Sequence, residues 1–155
     1  LINIVWKFFE NKIRFKNARH LQIDNYYRET SGRNMHKILE KWSEMLFLLN
    51  KPKVKNKMQS ENYVQKLLHD TYLYSSPETC RRLANYQQYA YKNKEELNDN
   101  HQEVLVLVAG IITSLKHDFT GEWVSINETL RVKLTDYDTH KDKFEEMIKK
   151  YKYRN

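Results

Sequence analysis

The stretch Val104-Leu105-Val106-Leu107-Val108-Ala109-Gly110-Ile111-Ile112 decides the fold, because it is apolar on every side. Its β-branched residues would suit a strand, but no second strand is evident, and a single strand leaves its backbone polar groups unpaired. The run is also shorter than the ~20 apolar residues that a membrane-spanning helix needs. We therefore predict a buried central helix.

The composition of the whole chain also favours helices. The 155 residues include only 3 Gly and 2 Pro, whereas sandwiches and barrels need many tight turns built on these residues. The hydrophobic fraction of 40% is enough for one sizeable core. We predict an all-α fold, a single helical bundle of about six to seven helices packed around the central one. The whole of 1–155 is expected to form one domain, with a basic N-terminal helix at 1–30.

Local signals give the expected helix boundaries. The first helix is predicted from Asn3 to about Tyr27, with a break at Thr30-Ser31-Gly32. A basic connector, Lys51 to Lys57, is expected to be a mobile loop after the second helix. Ser76-Pro77 has a capping residue followed by Pro at the first helical position, and Ser125-x-x-Glu128 has the spacing of a capping box. The polar stretch 93–100 is predicted to join two helices.

Charge is concentrated in the first third of the chain. The net charge is +7, and residues 1–58 alone carry 13 Lys or Arg against 5 Asp or Glu. This balance fits an acidic surface such as a phospholipid leaflet. An apolar, aromatic opening, residues 1–9, leads into the cations that would contact such a membrane, namely Lys7, Lys12, Arg14, Lys16 and Arg19.

Two interpretations of this opening stay open. Aromatic residues followed by Lys and Arg are typical of the cytoplasmic end of a membrane helix. We therefore expect a transmembrane segment upstream of Leu1 and a cytoplasmic location at the inner face of the cell membrane. The alternative is a helix that buries one apolar face in the core, since Val5, Trp6, Phe9 and Ile13 fall at helical spacing.

Motifs for common enzyme classes are missing. The sequence has no Gly-rich phosphate loop, no nucleophile elbow and no zinc protease helix motif. The lone Cys80 makes an internal disulfide impossible, which fits a reducing compartment, and we expect it to be a small, partly buried residue. No cofactor is expected.

A histidine and aspartate set carries the main enzymatic alternative. Leu67-Leu68-His69-Asp70 resembles the doublet of the HD-domain metal phosphohydrolases, which are all-helical, and His36 precedes it as the family's earlier histidine does. The resemblance implies a divalent metal held by His36, His69 and Asp70, with Asp118 or Asp136 as the later ligand, that activates water. The match covers only about residues 33–70, and Tyr72 follows where the family usually turns with Gly.

Nucleic-acid binding through the basic first third is another alternative. Clustered Lys and Arg neutralise phosphates, and tyrosines such as Tyr86, Tyr89 and Tyr91 stack on bases. However, no helix-turn-helix, zinc-ligand spacing or RNA-binding motif appears. We therefore do not expect nucleic acid to be the partner.

A second resemblance covers more of the chain. Leu73-Tyr74-Ser75-Ser76-Pro77-Glu78 and the later Lys116-His117-Asp118-Phe119-Thr120-Gly121-Glu122 resemble a group of small, uncharacterised bacterial proteins. That group has an N-terminal membrane segment and a helical cytosolic domain, so the resemblance implies membrane anchoring and a helical fold but no activity. Our leading prediction is a non-enzymatic module that binds an unidentified protein partner, with a homo-oligomer as a further option.

Overall fold

The computed structural model describes the backbone of residues 2–48, 50–93 and 102–155, and side chains in these ranges except at 2, 3, 15 and 20–31. The described residues form an all-α fold without strands, as the composition predicted. In the part of the chain that the structure describes, seven helices follow one another: α1 Ile2–Phe47, α2 Pro52–Gln59, α3 Glu61–Tyr74, α4 Pro77–Lys92, α5 Gln102–Thr120, α6 Ile126–Lys133 and α7 Tyr137–Lys150.

The chain divides into two units, Leu1–Arg33 and Asn34–Asn155. The second unit holds the core. Its α5 packs against α4, α6 and α7, and ten consecutive residues of α5 are buried, from Val106 to Leu115. The predicted central helix is therefore confirmed.

Trp42, near the end of α1, ties three helices of this unit together. Its side chain is only 1% exposed, and its Nε1 donates to Thr71 Oγ1 of α3 at 2.9 Å. Its ring also meets Tyr86 of α4 edge to face, with 5.3 Å between the ring centroids. Because a buried indole N–H needs an acceptor, Thr71 fixes the orientation of the tryptophan as well as filling space.

Two predicted helix starts are confirmed. The Ser76 side chain accepts from Thr79 N at 3.3 Å, with Pro77 at the first helical position of α4. The Ser125 side chain accepts from Glu128 N at 3.0 Å and caps α6. Helix α5 ends at Thr120, and Gly121 follows it with a φ of 83°, which favours glycine.

Two boundary predictions are wrong. Helix α1 continues through Thr30-Ser31-Gly32 instead of breaking there, and the supposed loop Lys51 to Lys57 lies largely within α2. A single helical Gly costs only about 1 kcal/mol relative to Ala, and lysine is a good helix former, so neither signal was strong enough to end a helix. The expected connection at 93–100 lies mostly outside the described residues, which stop at Asn93 and resume at Gln102.

Candidate functional site

The three predicted metal ligands do not come together as one group among the described residues. His36 is exposed on α1, where its ring lies 5.9 Å from the ring of Phe119, centroid to centroid. His69 is exposed on α3, with its Nδ1 3.7 Å from Asp70 Oδ1. The other oxygen of Asp70, Oδ2, lies 3.4 Å from Lys66 Nζ.

No group of three His, Cys, Asp or Glu side chains suited to a metal ion occurs among the described residues. His36, His69 and Asp70 therefore do not assemble into the site that the HD-type spacing predicted. The two downstream candidates have other partners: Asp118 is part of a buried cluster described below, and Asp136 Oδ2 lies 3.4 Å from His140 Nε2. The spacing along the chain correctly predicted that both histidines lie on helices. It did not predict whether their side chains converge on one site, and among the described residues they do not.

Sequence reasoning missed a buried arginine at the centre of the second unit. Arg82 of α4 is 0% exposed. Its Nε donates to Glu78 Oε1 at 2.8 Å, and its Nη1 donates to Gly110 O at 2.8 Å and to Thr113 Oγ1 at 3.0 Å. These hydrogen bonds stabilise the positive charge of the guanidinium, which would otherwise be costly to bury.

Two aromatic rings complete what we call the Arg82 cluster, which consists of Glu78, Arg82, Gly110, Thr113, Trp123 and Tyr153. The Arg82 guanidinium carbon lies 4.6 Å from the ring centroid of Tyr153 and 5.3 Å from that of Trp123. These are cation–π distances. Nη2 of Arg82 is buried and makes no hydrogen bond within the described residues. The stabilisation of this part of the guanidinium therefore depends on the aromatic rings of Trp123 and Tyr153.

Gly110 lets Tyr153 approach the helix backbone closely. A Cβ added at Gly110 would lie 3.0 Å from Tyr153 Cε2, which is tighter than ordinary packing. The Tyr153 hydroxyl accepts from Asn85 Nδ2 at 2.9 Å. Nearby, Arg81 donates to the carbonyls of Tyr151 at 2.9 Å and Lys152 at 3.2 Å. Residues 151–153 are thereby held against α4 and α5.

Glu78 connects the two arginines. The hydrogen bond from Arg81 is the largest cause of a lowered pKa for its carboxyl, and the bond from Arg82 acts in the same direction while burial opposes both. The same pair raises the pKa of the Arg81 guanidinium, chiefly through the hydrogen bond to Glu78. The cluster therefore holds Glu78 in its ionised form.

A second buried group, the Asp118 cluster, consists of Ser76, Thr79, Ser114 and Asp118. Asp118 Oδ2 accepts from Ser76 N at 2.9 Å and from Thr79 Oγ1 at 2.7 Å, and the hydroxyls of Thr79 and Ser114 lie 2.6 Å apart. The carboxylate satisfies a free amide at the start of α4, where the helix dipole favours a negative charge. Thr79 and Ser114 are each 0% exposed, so the cluster joins α4 to α5 away from solvent.

Neighbouring reactive side chains are likewise packed against the fold. His117 stacks on Trp123 with 4.2 Å between ring centroids. Cys80 is free and partly buried, as predicted, with its Sγ 3.6 Å from Ser75 Oγ. These contacts contribute to the packing around α4 and α5.

The first unit presents the opposite arrangement. Six large apolar side chains, which we call the N-terminal apolar face, are exposed along ten residues of α1: Ile4 74%, Val5 49%, Trp6 71%, Phe8 68%, Phe9 56% and Ile13 58%. The alternative in which Val5, Trp6, Phe9 and Ile13 are buried in the core is therefore wrong. The predicted membrane-contacting cations are exposed as well, namely Lys7, Lys12, Arg14, Lys16 and Arg19.

The charged residues around this face are mostly basic. Arg14 Nη2 lies 2.9 Å from Glu10 Oε1, one turn away on the same helix. Glu10 is the only acidic residue between positions 1 and 23. Among the described residues, no helix combines the length and the hydropathy needed to cross a membrane.

Comparison of the chain with protein-family models, curated proteins and solved structures gave no match. The resemblances to HD-domain phosphohydrolases and to small bacterial proteins thus gain no support from these comparisons.

Proposed function

We propose that this protein works by binding, as a non-enzymatic helical interaction module whose contact surface is the N-terminal apolar face. The observation that carries the proposal is the exposure of six large apolar side chains within ten residues. Isolated apolar residues are common on protein surfaces, but contiguous apolar patches mark sites of association. Trp and Phe are also among the residues that dominate binding energy at interfaces.

The polar clusters of the second unit support binding over catalysis. Arg82, Thr79 and Ser114 are fully buried, and hydrogen bonds from Arg82 and Thr79 link α4 to α5. Their role in this proposal is to keep the second unit rigid while the first unit makes contact. The lone cysteine and the basic N-terminal third fit a module that operates on the cytoplasmic side of a cell.

Sedimentation of extracts from cells that naturally make the protein tests this proposal. The wild-type chain is expected in a particulate or large-complex fraction, and the double variant Trp6→Ser/Phe9→Ser in the fraction of the free chain. Tyr72→Ser/Leu73→Ser is the matched control, because these residues of α3 are 65% and 52% exposed but lie outside the N-terminal apolar face. A wild-type chain that sediments as the free protein would contradict the proposal, as would equal behaviour of the two double variants.

A further inference from the structure

We propose that the surface bound by the N-terminal apolar face is an anionic phospholipid bilayer, on which residues 4–19 of α1 lie parallel to the membrane plane. This inference rests on the proposed function, since it names the partner of the same face. It is carried by the position of the basic residues around the helix.

Apolar and basic residues share one side of this helix. Successive residues of an α-helix turn by about 100°, so positions separated by alternating steps of four and three form one stripe. Val5 and Phe9 begin such a stripe, and it continues with three exposed cations that we call the basic stripe: Lys12, Lys16 and Arg19. The first part of the stripe is thus apolar and the second part cationic.

The opposite side of the helix is polar. Lys7, Asn11 and Arg14 follow one another at steps of four and three on that side, and all are exposed. Glu10 lies beside them and pairs with Arg14. Trp6, Phe8 and Ile13 of the N-terminal apolar face flank the apolar part of the stripe, and Ile4 lies next to Asn11 at the border of the polar side. One side of this segment is therefore polar. The opposite side, which we call its front, is apolar at its N-terminal end and basic at its C-terminal end.

A bilayer surface complements this front along its whole length. The rise of 1.5 Å per residue gives about 12 Å from Val5 to Ile13 and about 10 Å from Lys12 to Arg19. The apolar end fits the boundary between headgroups and acyl chains, where Trp and Phe side chains are favoured, and the basic stripe then lies on lipid phosphates. Nucleic acid supplies phosphates for the basic stripe but no apolar layer for Val5, Trp6 and Phe9. An apolar groove of a protein would accept the first part of the stripe and leave the cations without counter-charges.

Co-sedimentation of the purified full chain with vesicles tests the inference. Vesicles of phosphatidylcholine alone are compared with vesicles that also contain phosphatidylglycerol, and binding is expected only to the second kind. At about 1 kcal/mol for each cation near an anionic surface, Lys12→Gln/Lys16→Gln/Arg19→Gln is expected to weaken binding about 100-fold. The matched control is Lys53→Gln/Lys55→Gln/Lys57→Gln, which removes the same charge from exposed positions of α2 and is expected to bind as the wild type does.

Trp6 gives an independent optical readout. Its emission is expected to shift to shorter wavelength on vesicles, and the shift should disappear in Trp6→Phe, which keeps Trp42 and Trp123 as unchanged background. Far-ultraviolet circular dichroism of each variant confirms that the helical content is retained.

The outcomes separate this inference from the proposed function. Absence of binding to anionic vesicles, or equal loss in the two triple variants, overturns the lipid inference. If the chain instead self-associates through the same face in analytical ultracentrifugation, the proposed function stands with a second copy as the partner. Salt-dependent retention on RNA without vesicle binding likewise overturns the lipid inference. Failure of both the extract sedimentation and the vesicle assay overturns both.

Discussion

The two units of this chain use similar side chains in opposite ways. In the second unit, Phe144 is 0% exposed, and Arg82 is surrounded by carbonyl, hydroxyl, carboxylate and aromatic partners. In the first unit, Phe9 is 56% exposed, and cations follow it along the same side of the helix. The contrast teaches that residue type alone does not separate core from contact surface. What separates core from contact surface is the number of independent helices that supply partners to a side chain. Four predictions test this contrast.

The largest difference is expected between two alanine substitutions of phenylalanine. Phe144→Ala removes a ring that stacks on Tyr137 at 5.7 Å between centroids and should lower the free energy of unfolding by about 3–5 kcal/mol. Phe9→Ala should change it by less than about 0.5 kcal/mol, because an exposed side chain loses little packing. Urea denaturation followed by circular dichroism measures both. Equal effects at the two positions would remove the distinction between core and contact surface.

Arg82→Ala is expected to be the next most damaging change, at about 3 kcal/mol. It leaves Thr113 Oγ1 without this donor, removes one of the donors to Gly110 O, and opens space beside Tyr153. Arg14→Ala is the control in the first unit. Its ion pair with Glu10 is exposed, and such pairs contribute about 0.5 kcal/mol or less. A stability loss for Arg82→Ala as small as that for Arg14→Ala would show that the cluster contributes little.

Asp118→Ala should lower stability by about 2 kcal/mol, because Ser76 N and Thr79 Oγ1 lose a buried acceptor. Asp118→Asn keeps an acceptor oxygen and removes the charge, so a smaller loss is expected. Thermal unfolding of the two variants measures the difference. If Asn is as damaging as Ala, the negative charge at the start of α4 matters more than the hydrogen bonds.

The smallest effect is expected from titration of Glu78. Its pKa in the folded protein is lowered, chiefly by the hydrogen bond from Arg81. The resulting stabilisation is present above the ordinary glutamate pKa and is lost as the pH falls through the lowered pKa. Denaturant midpoints measured from neutral pH to pH ~3 should fall less steeply for Glu78→Gln than for the wild type. An identical slope would indicate that other carboxylates account for the acid sensitivity.

The fold class was readable from the sequence because its signals are local. The apolar run around Gly110 and the capping serines, Ser76 and Ser125, each act within a few residues, and all were confirmed. The break predicted at Gly32 was wrong because a weak local preference does not stop a helix that the rest of the chain extends, and the loop predicted over Lys51 to Lys57 was wrong because lysine is a good helix former.

The site could not be read in the same way. A His and Asp spacing places residues on helices but says nothing about whether their faces converge, so His36 and His69 were grouped incorrectly. One signal for Arg82 was present, since it occupies the same stripe of α4 as Thr79, Leu83 and Tyr86, all buried. An arginine within an apolar stripe indicates a buried cation, but its partners come from α5 and residues beyond it, which no local pattern supplies.

The Arg82 cluster also has a kinetic consequence. Arg82 bonds to residues 28 and 31 positions further along the chain, and its contact with Tyr153 spans a longer interval still. Contacts with such separations require closure of large loops, so they form late in folding. An α4 helix that forms early keeps this guanidinium in water until α5 and residues 151–153 dock. Substitutions at Arg82 are therefore expected to accelerate unfolding far more than they slow folding.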